Sequence, residues 1–452
     1  VAKNEAEALE KAREINSSLT LQDLKQDEDC LDTWFSSWLW PIEVFKGYSN
    51  PGNADFNYYY PTSTLVTAPE IIFFWVARMI MAGFEYEKKK PFNDVYFTGI
   101  VRDKMGRKMS KSLGNSPDLL ELIDKYGADA VRFGIMIASP AGNDLLWDES
   151  SNEQGRNFNN KIWNALKLVK GWANRTTDMP TPASAGFAIS WFRQRLNATR
   201  QELDKCYDEF RLSEALKITY SLIWDDFCSW YLEWIKPGME ERLSREVYEA
   251  TVEFFEELMQ LLHPVMPFIT EEIYHQLRER AANDDLTIRP FNSTEPANEA
   301  VLANGLLLQQ AITALRDAKT RNNIKPKEWM QVFLETEQAE SYQSIAAILQ
   351  KQVNAASIEF GKAPAEDTIT VVVGKDRFHL LPEQPVDTEA QKAGLQKELE
   401  YLKGFLAAVE KKLSNERFVQ NAQPAVVELE RKKKQDAEDK IKIIEQSLGI
   451  AE

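Results

Sequence analysis

From about Asp148 onward, apolar residues return at steps of three and four. Phe158, Ile162, Leu166, Val169 and Trp172 form one such set, and Ile189, Phe192, Leu196, Thr199 and Leu203 another. That spacing predicts amphipathic helices with one buried face each. Further helices are expected near 213–234 and 245–262, with a last one after Pro264 and Pro267, which together read as an antiparallel bundle. Near the end, Leu395, Leu399, Leu402, Leu406, Val409 and Leu413 alternate steps of four and three, a heptad seam. After a break at 414–424, Ala437, Ile441, Ile444 and Leu448 make a second seam, so the tail predicts an antiparallel helical hairpin. Ahead of the bundle the pattern is mixed. Thr64-Leu65-Val66-Thr67 reads as a strand, Ala68-Pro69-Glu70 opens a helix running to Met81, and 94–101 reads as a second strand. The helix is apolar on almost every face and is expected to be buried between layers. Strand-like runs at 331–334 and 368–373 around a helix near 343–354 suggest a small α/β unit, and 284–299 a linker.

Composition narrows the class without changing this picture. With 452 residues there is room for several domains. No uninterrupted apolar run of about 18 residues occurs, so no membrane helix is expected. Cys30, Cys206 and Cys228 are scattered, which argues for a reducing compartment without disulfides and without a structural zinc knuckle. His263, His275 and His379 show no ligand spacing, so no metal site is expected. The formal charge of −16 opposes general nucleic-acid binding, so any such contact must come from local basic clusters. One candidate is the turn holding Lys319, Arg321, Lys325 and Lys327, and another is Arg431-Lys432-Lys433-Lys434. The chain starts Val1-Ala2-Lys3-Asn4-Glu5, charged and without methionine, as expected of a piece clipped from a longer protein.

The chemistry concentrates in Gly106-Arg-Lys-Met-Ser-Lys-Ser-Leu-Gly-Asn115. Two ammonium groups, Lys108 and Lys111, stand three apart in a glycine-bounded polar loop approached by Arg102, Lys104 and Arg107. Such a loop can close on a polyphosphate and neutralise charge that builds up in a transition state. Lys108-Met109-Ser110-Lys111-Ser112 resembles the signature loop of the class I aminoacyl-tRNA synthetases. Asp29-Cys-Leu-Asp-Thr-Trp-Phe-Ser-Ser-Trp-Leu-Trp-Pro41 and Phe73-Phe-Trp-Val-Ala-Arg-Met79 resemble the valyl branch more closely than the isoleucyl or leucyl ones. Residues 157–164 and 262–272 resemble the anticodon-binding domain of the same group, and the tail resembles the arm that valyl enzymes lean on the tRNA elbow.

The resemblance implies a multidomain protein. A remnant of the inserted editing domain would occupy 1–28, and the C-terminal half of a Rossmann-type α/β catalytic fold 29–147. An all-α anticodon-binding bundle would follow at 148–290, a linker and small α/β unit at 291–386, and a coiled-coil tRNA-binding arm at 387–452. It implies ligation of valine to tRNA(Val) through an adenylate, with ATP and Mg²⁺. Lys108 and Lys111 would be catalytic; Met109, Ser110, Lys111, Gly99 and Val101 would contact ATP. Trp75 and, more weakly, Glu70 would shape the amino-acid pocket. A cytoplasmic monomer without membrane contact is expected. No His-Ile-Gly-His motif occurs, so the chain alone is expected to bind tRNA but to form little adenylate. A non-catalytic tRNA-binding module and an isoleucyl-type ligase stay open as alternatives.

Overall fold

The computed structural model describes residues 2–139, 143–362, 368–382, 388–415 and 424–447. Two compact units emerge, one of residues 1–116 and 139–147, the other of 117–138 and 148–452. Among the described residues no helix is long and apolar enough to cross a membrane.

In the first unit, Asn4 caps the helix Glu5–Ile15 by accepting from the Glu7 N–H. Asp32 does the same for the short helix Thr33–Ser37, accepting from Trp34 N at 2.7 Å. That capping explains the aspartate inside the aromatic run, and the Trp34 ring carries the Arg78 guanidinium 4.0 Å above it. Strand Thr62–Thr67 pairs in parallel with strand Phe92–Phe97, Thr67 opposite Phe97. Between them the chain passes a turn, Pro69–Ile71, and then a helix whose π-type ends, Ile72–Val76 and Gly83–Glu87, flank an α-helical centre, Ala77–Ala82.

The expectation that this helix is buried on all faces is corrected here. Val76 and Met79 pack on Phe92 with Leu65, Trp75 and Val95, whereas Phe73 is 80 % exposed and Met81 66 % exposed. The physical reason is the width of the sheet. Its two strands cover one face of the helix, while Trp34 meets Phe74 and Arg78 on another side and leaves Phe73 and Met81 open. The second strand also ends earlier than expected, at Phe97; the chain then resumes pairing at Val101–Arg102, in parallel with Leu145–Leu146.

In the second unit, helix Leu119–Tyr126 is capped by Asp118, which accepts from Leu120 N and Glu121 N. Helix Ala128–Ala138 follows. Asp129 and Arg132, which spacing alone would read as a surface pair, are joints to the bundle. Buried Asp129 accepts from the backbone N–H of Phe268 and Ile269 at the start of helix Pro267–Leu277. Arg132 donates to the carbonyls of Val265 and Pro264 just before it. Burial raises the Asp129 carboxyl above its ordinary range, and the two N–H donors pull it back.

The bundle proper comprises Ser150–Trp172, Ala183–Asp208, a helix from Leu212 to Ile235 with a π-type middle, Arg245–Leu262 and Pro267–Leu277. The predicted stripes are its core, with Phe158, Ile162, Val169 and Phe192 fully buried. The stretch 284–299 is not a free linker. Leu286 is buried, and Glu271 accepts from the N–H groups of Leu286 and Thr287 while His275 stands 3.3 Å from Glu271 and 3.2 Å from Asp285.

Helix Glu299–Arg321 leads to a four-stranded sheet in the order 355–360, 330–335, 376–382, 369–373. The first pair is parallel across helix Ala339–Val353 and the others antiparallel. Two of these strands, Ala355–Phe360 and Asp376–Pro382, were not legible from the alternation. Finally, helices Thr388–Leu413 and Pro424–Ser447 pack together through Leu399, Val409, Val427, Ala437, Ile441 and Ile444. Ion pairs Lys403–Glu445, Lys434–Glu410 and Lys412–Glu430 run in opposite chain directions, which makes the pair antiparallel. Leu448 and the side chain of Leu395 lie outside the described residues.

Candidate active site

Because strands Thr62–Thr67 and Phe92–Phe97 are parallel, their carboxyl ends lie side by side, and the Thr98 N–H donates to the Thr67 carbonyl at 2.8 Å. One end feeds the turn carrying Glu70, the other the segment 99–116. Both sets of expected site residues therefore leave the same edge of the sheet, where open α/β folds bind ligands.

The lysine loop is folded by its own side chains. Arg102 bridges Lys108, the Asp103 N–H donates to the Arg107 carbonyl at 2.9 Å, and Gly106 takes φ of 77° at the tip. That left-handed angle favours glycine. Asp103 is the hub: it accepts from the Asn115 amide (3.0 Å), from Arg107 N and Nε (2.8 Å each) and from Met105 N (3.0 Å). These donors, Asn115 foremost, hold its carboxyl down at about 2, so it stays ionised at any working pH. Asn115 closes the second half by accepting from Ser110 N at 2.9 Å and donating to the Lys108 carbonyl. The Ser110 hydroxyl accepts from Leu113 N at 3.2 Å. Asn115 thus staples both halves of the loop while the Lys108 side chain stays exposed. Lys111 opens the turn Lys111–Leu113; its side chain lies outside the described residues.

The lead-in is pinned by Asp144, which pairs with Arg102 and accepts from Ile100 N. Gly99 permits a close approach, but in this structure the approach is to protein. An added Cβ would stand 1.7 Å from the Asn143 carbonyl oxygen. Val101 is exposed beside Leu145, Met109 and Ser110 are half-buried, and Glu70 is exposed. Trp75 is half-buried against the small core of the helix and sheet.

Sequence reasoning overlooked Asp103 and Asp144 and gave Asn115 no role. The i,i+4 spacing of Asp103 and Arg107 was the available signal; nothing local announces Asp144.

The basic turn needs a correction. Lys319 is only 2 % exposed, and its Nζ donates to the carbonyls of Glu328 (2.6 Å), Val353 (2.9 Å) and Pro326 (3.3 Å). Burial lowers its pKa. It ties the helix end to the α/β unit and faces no solvent, so it offers phosphate nothing. Arg321, Lys325 and Lys327 remain exposed. Lys319→Ala, which removes the ammonium donor from the Glu328 and Val353 carbonyls while Asn354 still donates to Pro326, is expected to cost about 1–3 kcal/mol in thermal or chemical unfolding, and Lys325→Ala close to nothing. Equal effects of the two would contradict the buried role. In the arm, Arg431 and Lys432 are exposed, Arg431 near Glu428 at 3.6 Å.

Residues 1–148 match the family described as tRNA synthetases class I (I, L, M and V). Residues 190–334 match the anticodon-binding domain of tRNA ligase, and 387–450 the valyl tRNA synthetase tRNA binding arm. The chain belongs to the class I tRNA synthetases, on the valyl branch. The valine–tRNA ligase of Bacteroides fragilis is 50 % identical over 451 residues, which is 99 % of this chain and 51 % of that protein. That of Chlorobaculum tepidum is 37 % identical over 461 residues, 94 % of this chain and 50 % of that protein. The chain thus spans about half the length of the curated relatives it matches.

Proposed function

We propose that this chain supplies the lysine loop and the tRNA-holding parts of a valine–tRNA ligase. The reaction joins valine to ATP, forming the mixed anhydride valyl-adenylate and releasing pyrophosphate. Valyl then passes to the terminal ribose of tRNA(Val), releasing AMP. Lys108 and Lys111 neutralise charge at the α-phosphate and on the departing pyrophosphate, and Mg²⁺ enters as the ATP complex. Met109, Ser110, Val101 and the Gly99 segment border the nucleotide; Trp75 walls the valine side-chain pocket, with Glu70 near its polar end. The helical bundle reads the anticodon. The antiparallel tail acts as a coiled-coil arm on the tRNA, and the enzyme works as a cytoplasmic monomer.

The observation that carries this reading is the stapled loop itself. Asp103 and Asn115 spend their hydrogen bonds shaping a short polar hairpin that leaves Lys108 in solvent at the carboxyl edge of a parallel sheet. A merely solvated turn has no use for such shaping.

The exposed far side of the Phe73–Phe84 helix supports a further point, that the chain alone forms little adenylate. Valine-dependent pyrophosphate exchange by the isolated chain, lost in Lys111→Ala, would contradict it. For RNA, binding of tRNA(Val) should weaken steeply with salt, since the contacts are local cations on an acidic protein. Removing Arg431 and Lys432 together should reduce the slope of log K against log salt by about 1–2. A slope unchanged in that variant and also in Lys325→Ala/Lys327→Ala would take these clusters out of the interface.

A further inference from the structure

Three of the bonds that shape the lysine loop converge on one uncharged side chain. The Asn115 amide nitrogen donates to Asp103 Oδ2 at 3.0 Å and to the Lys108 carbonyl at 3.3 Å. Its oxygen accepts from Ser110 N at 2.9 Å. A carboxamide is suited to this place because it carries donors and an acceptor on one short stem. Aspartate would still accept from Ser110, but it would set a second negative charge against Asp103.

The same hairpin sorts its cations. Arg107 Nε donates to Asp103, whose side chain is 12 % exposed, and Arg102 pairs with Asp144 while donating to the Gly106 carbonyl at 3.4 Å. Both guanidinium groups are thus engaged in building the turn, whereas the Lys108 side chain stays exposed. Asn115 bonds the Lys108 carbonyl and the Ser110 N–H, one residue before Lys111. Backbone placement on both sides of Met109 therefore depends on one amide.

We propose that Asn115 is the positioning residue of the lysine loop. By holding Asp103, the Lys108 carbonyl and Ser110 N together, it sets where the two lysines stand, and through them the rate of adenylate formation. This rests on the ligase reading above and adds to it a residue that acts only through others. Misplacing a reacting group by about 1 Å costs up to ~10²-fold in rate, which is the scale at stake.

The test has two arms. In hydrogen exchange on the 452-residue chain, Asn115→Ala should speed exchange at the Arg107 and Ser110 amides by about tenfold or more and leave the bundle unchanged. In a full-length enzyme of this family, the same change should lower kcat for valine-dependent pyrophosphate exchange by about 10–10²-fold, with the KM for ATP within about threefold.

Asn115→Asp separates positioning from general damage. It places two carboxylates where a 3.0 Å amide contact stood, so one of them is pushed towards the protonated form. A shared proton restores the lost donor. The charges around the pair, Arg107, Lys108 and the Arg102–Asp144 pair, keep their state through neutral pH. Its deficit against the unaltered enzyme should therefore shrink from about pH 8 to about pH 6, while that of Asn115→Ala stays constant.

Unchanged loop exchange in Asn115→Ala would overturn the proposal. So would an undiminished kcat in that variant where Lys111→Ala is slow, or an Asn115→Asp deficit that ignores pH. If Lys111→Ala itself runs at the full rate, the ligase reading is at fault and the rate effect falls with it. Should Asn115→Ala fail to fold, the pH profile of Asn115→Asp decides the matter.

Discussion

Lys111→Ala in a full-length enzyme of this family is expected to slow valine-dependent ATP–pyrophosphate exchange by about 10²–10³-fold, with the KM for ATP changing far less. The size follows from what an ammonium does on such a loop. In the ground state the triphosphate already has Mg²⁺ and water around it, so one further cation adds little. As the α-phosphate is attacked, negative charge moves onto the departing pyrophosphate in a site closed to solvent. There a single charged donor is worth about 3–4 kcal/mol. Only interactions stronger in the transition state than before it raise kcat, so the loss belongs in kcat. Lys111→Arg is expected to recover part of the rate, because charge returns with a planar and bulkier head. A rise in the KM for ATP with unchanged kcat would mean that the lysine merely holds nucleotide.

Gly305→Ala should clearly lower the stability of the helical unit. An added Cβ at 305 would stand 2.0 Å from Cδ1 and 2.1 Å from Nε1 of Trp191, an indole that is 1 % exposed. Trp191 cannot swing aside freely, since Trp234 lies 4.5 Å from it, centroid to centroid. Alanine improves helix propensity by about 1 kcal/mol, yet overpacking a rigid core costs about 1–3 kcal/mol or more. The clash wins. Chemical denaturation should show the loss, and Trp191→Phe in the same chain should recover part of it, because the smaller ring frees the contested space. If Gly305→Ala proves neutral, helix Glu299–Arg321 does not pack on Trp191 of helix Ala183–Asp208 as closely as these distances require.

Periodicity read the helical parts of this chain well, and the reason is burial. Phe158, Ile162, Leu166, Val169 and Trp172 are spaced for one face because one face meets the core, and all five are buried. The lysine loop was legible for a different reason, in that its residue order has chemical meaning whatever surrounds it. What stayed hidden depends on partners distant in sequence. Asp129 lies three residues from Arg132 and looks paired with it, but its donors are 139 and 140 residues away. Lys319 sits in a run of cations and looks like a phosphate contact, but its ammonium donates to two carbonyls of the following turn and one at the end of helix Ala339–Val353. The opposite error arose at Phe73 and Met81, where apolar composition predicted burial that a two-stranded sheet does not provide. Strands Ala355–Phe360 and Asp376–Pro382 carry only short alternating runs, Ser357-Ile-Glu-Phe360 and Arg377-Phe-His-Leu380, too brief to stand out from the surrounding sequence.

The most direct measurement is tRNA(Val) charging by a full-length enzyme carrying Lys108→Ala and Lys111→Ala together, beside the unaltered enzyme. If the two ammonium groups act on the transition state, charging falls by at least about 10²-fold while tRNA affinity holds. Charging at the unaltered rate would contradict the account.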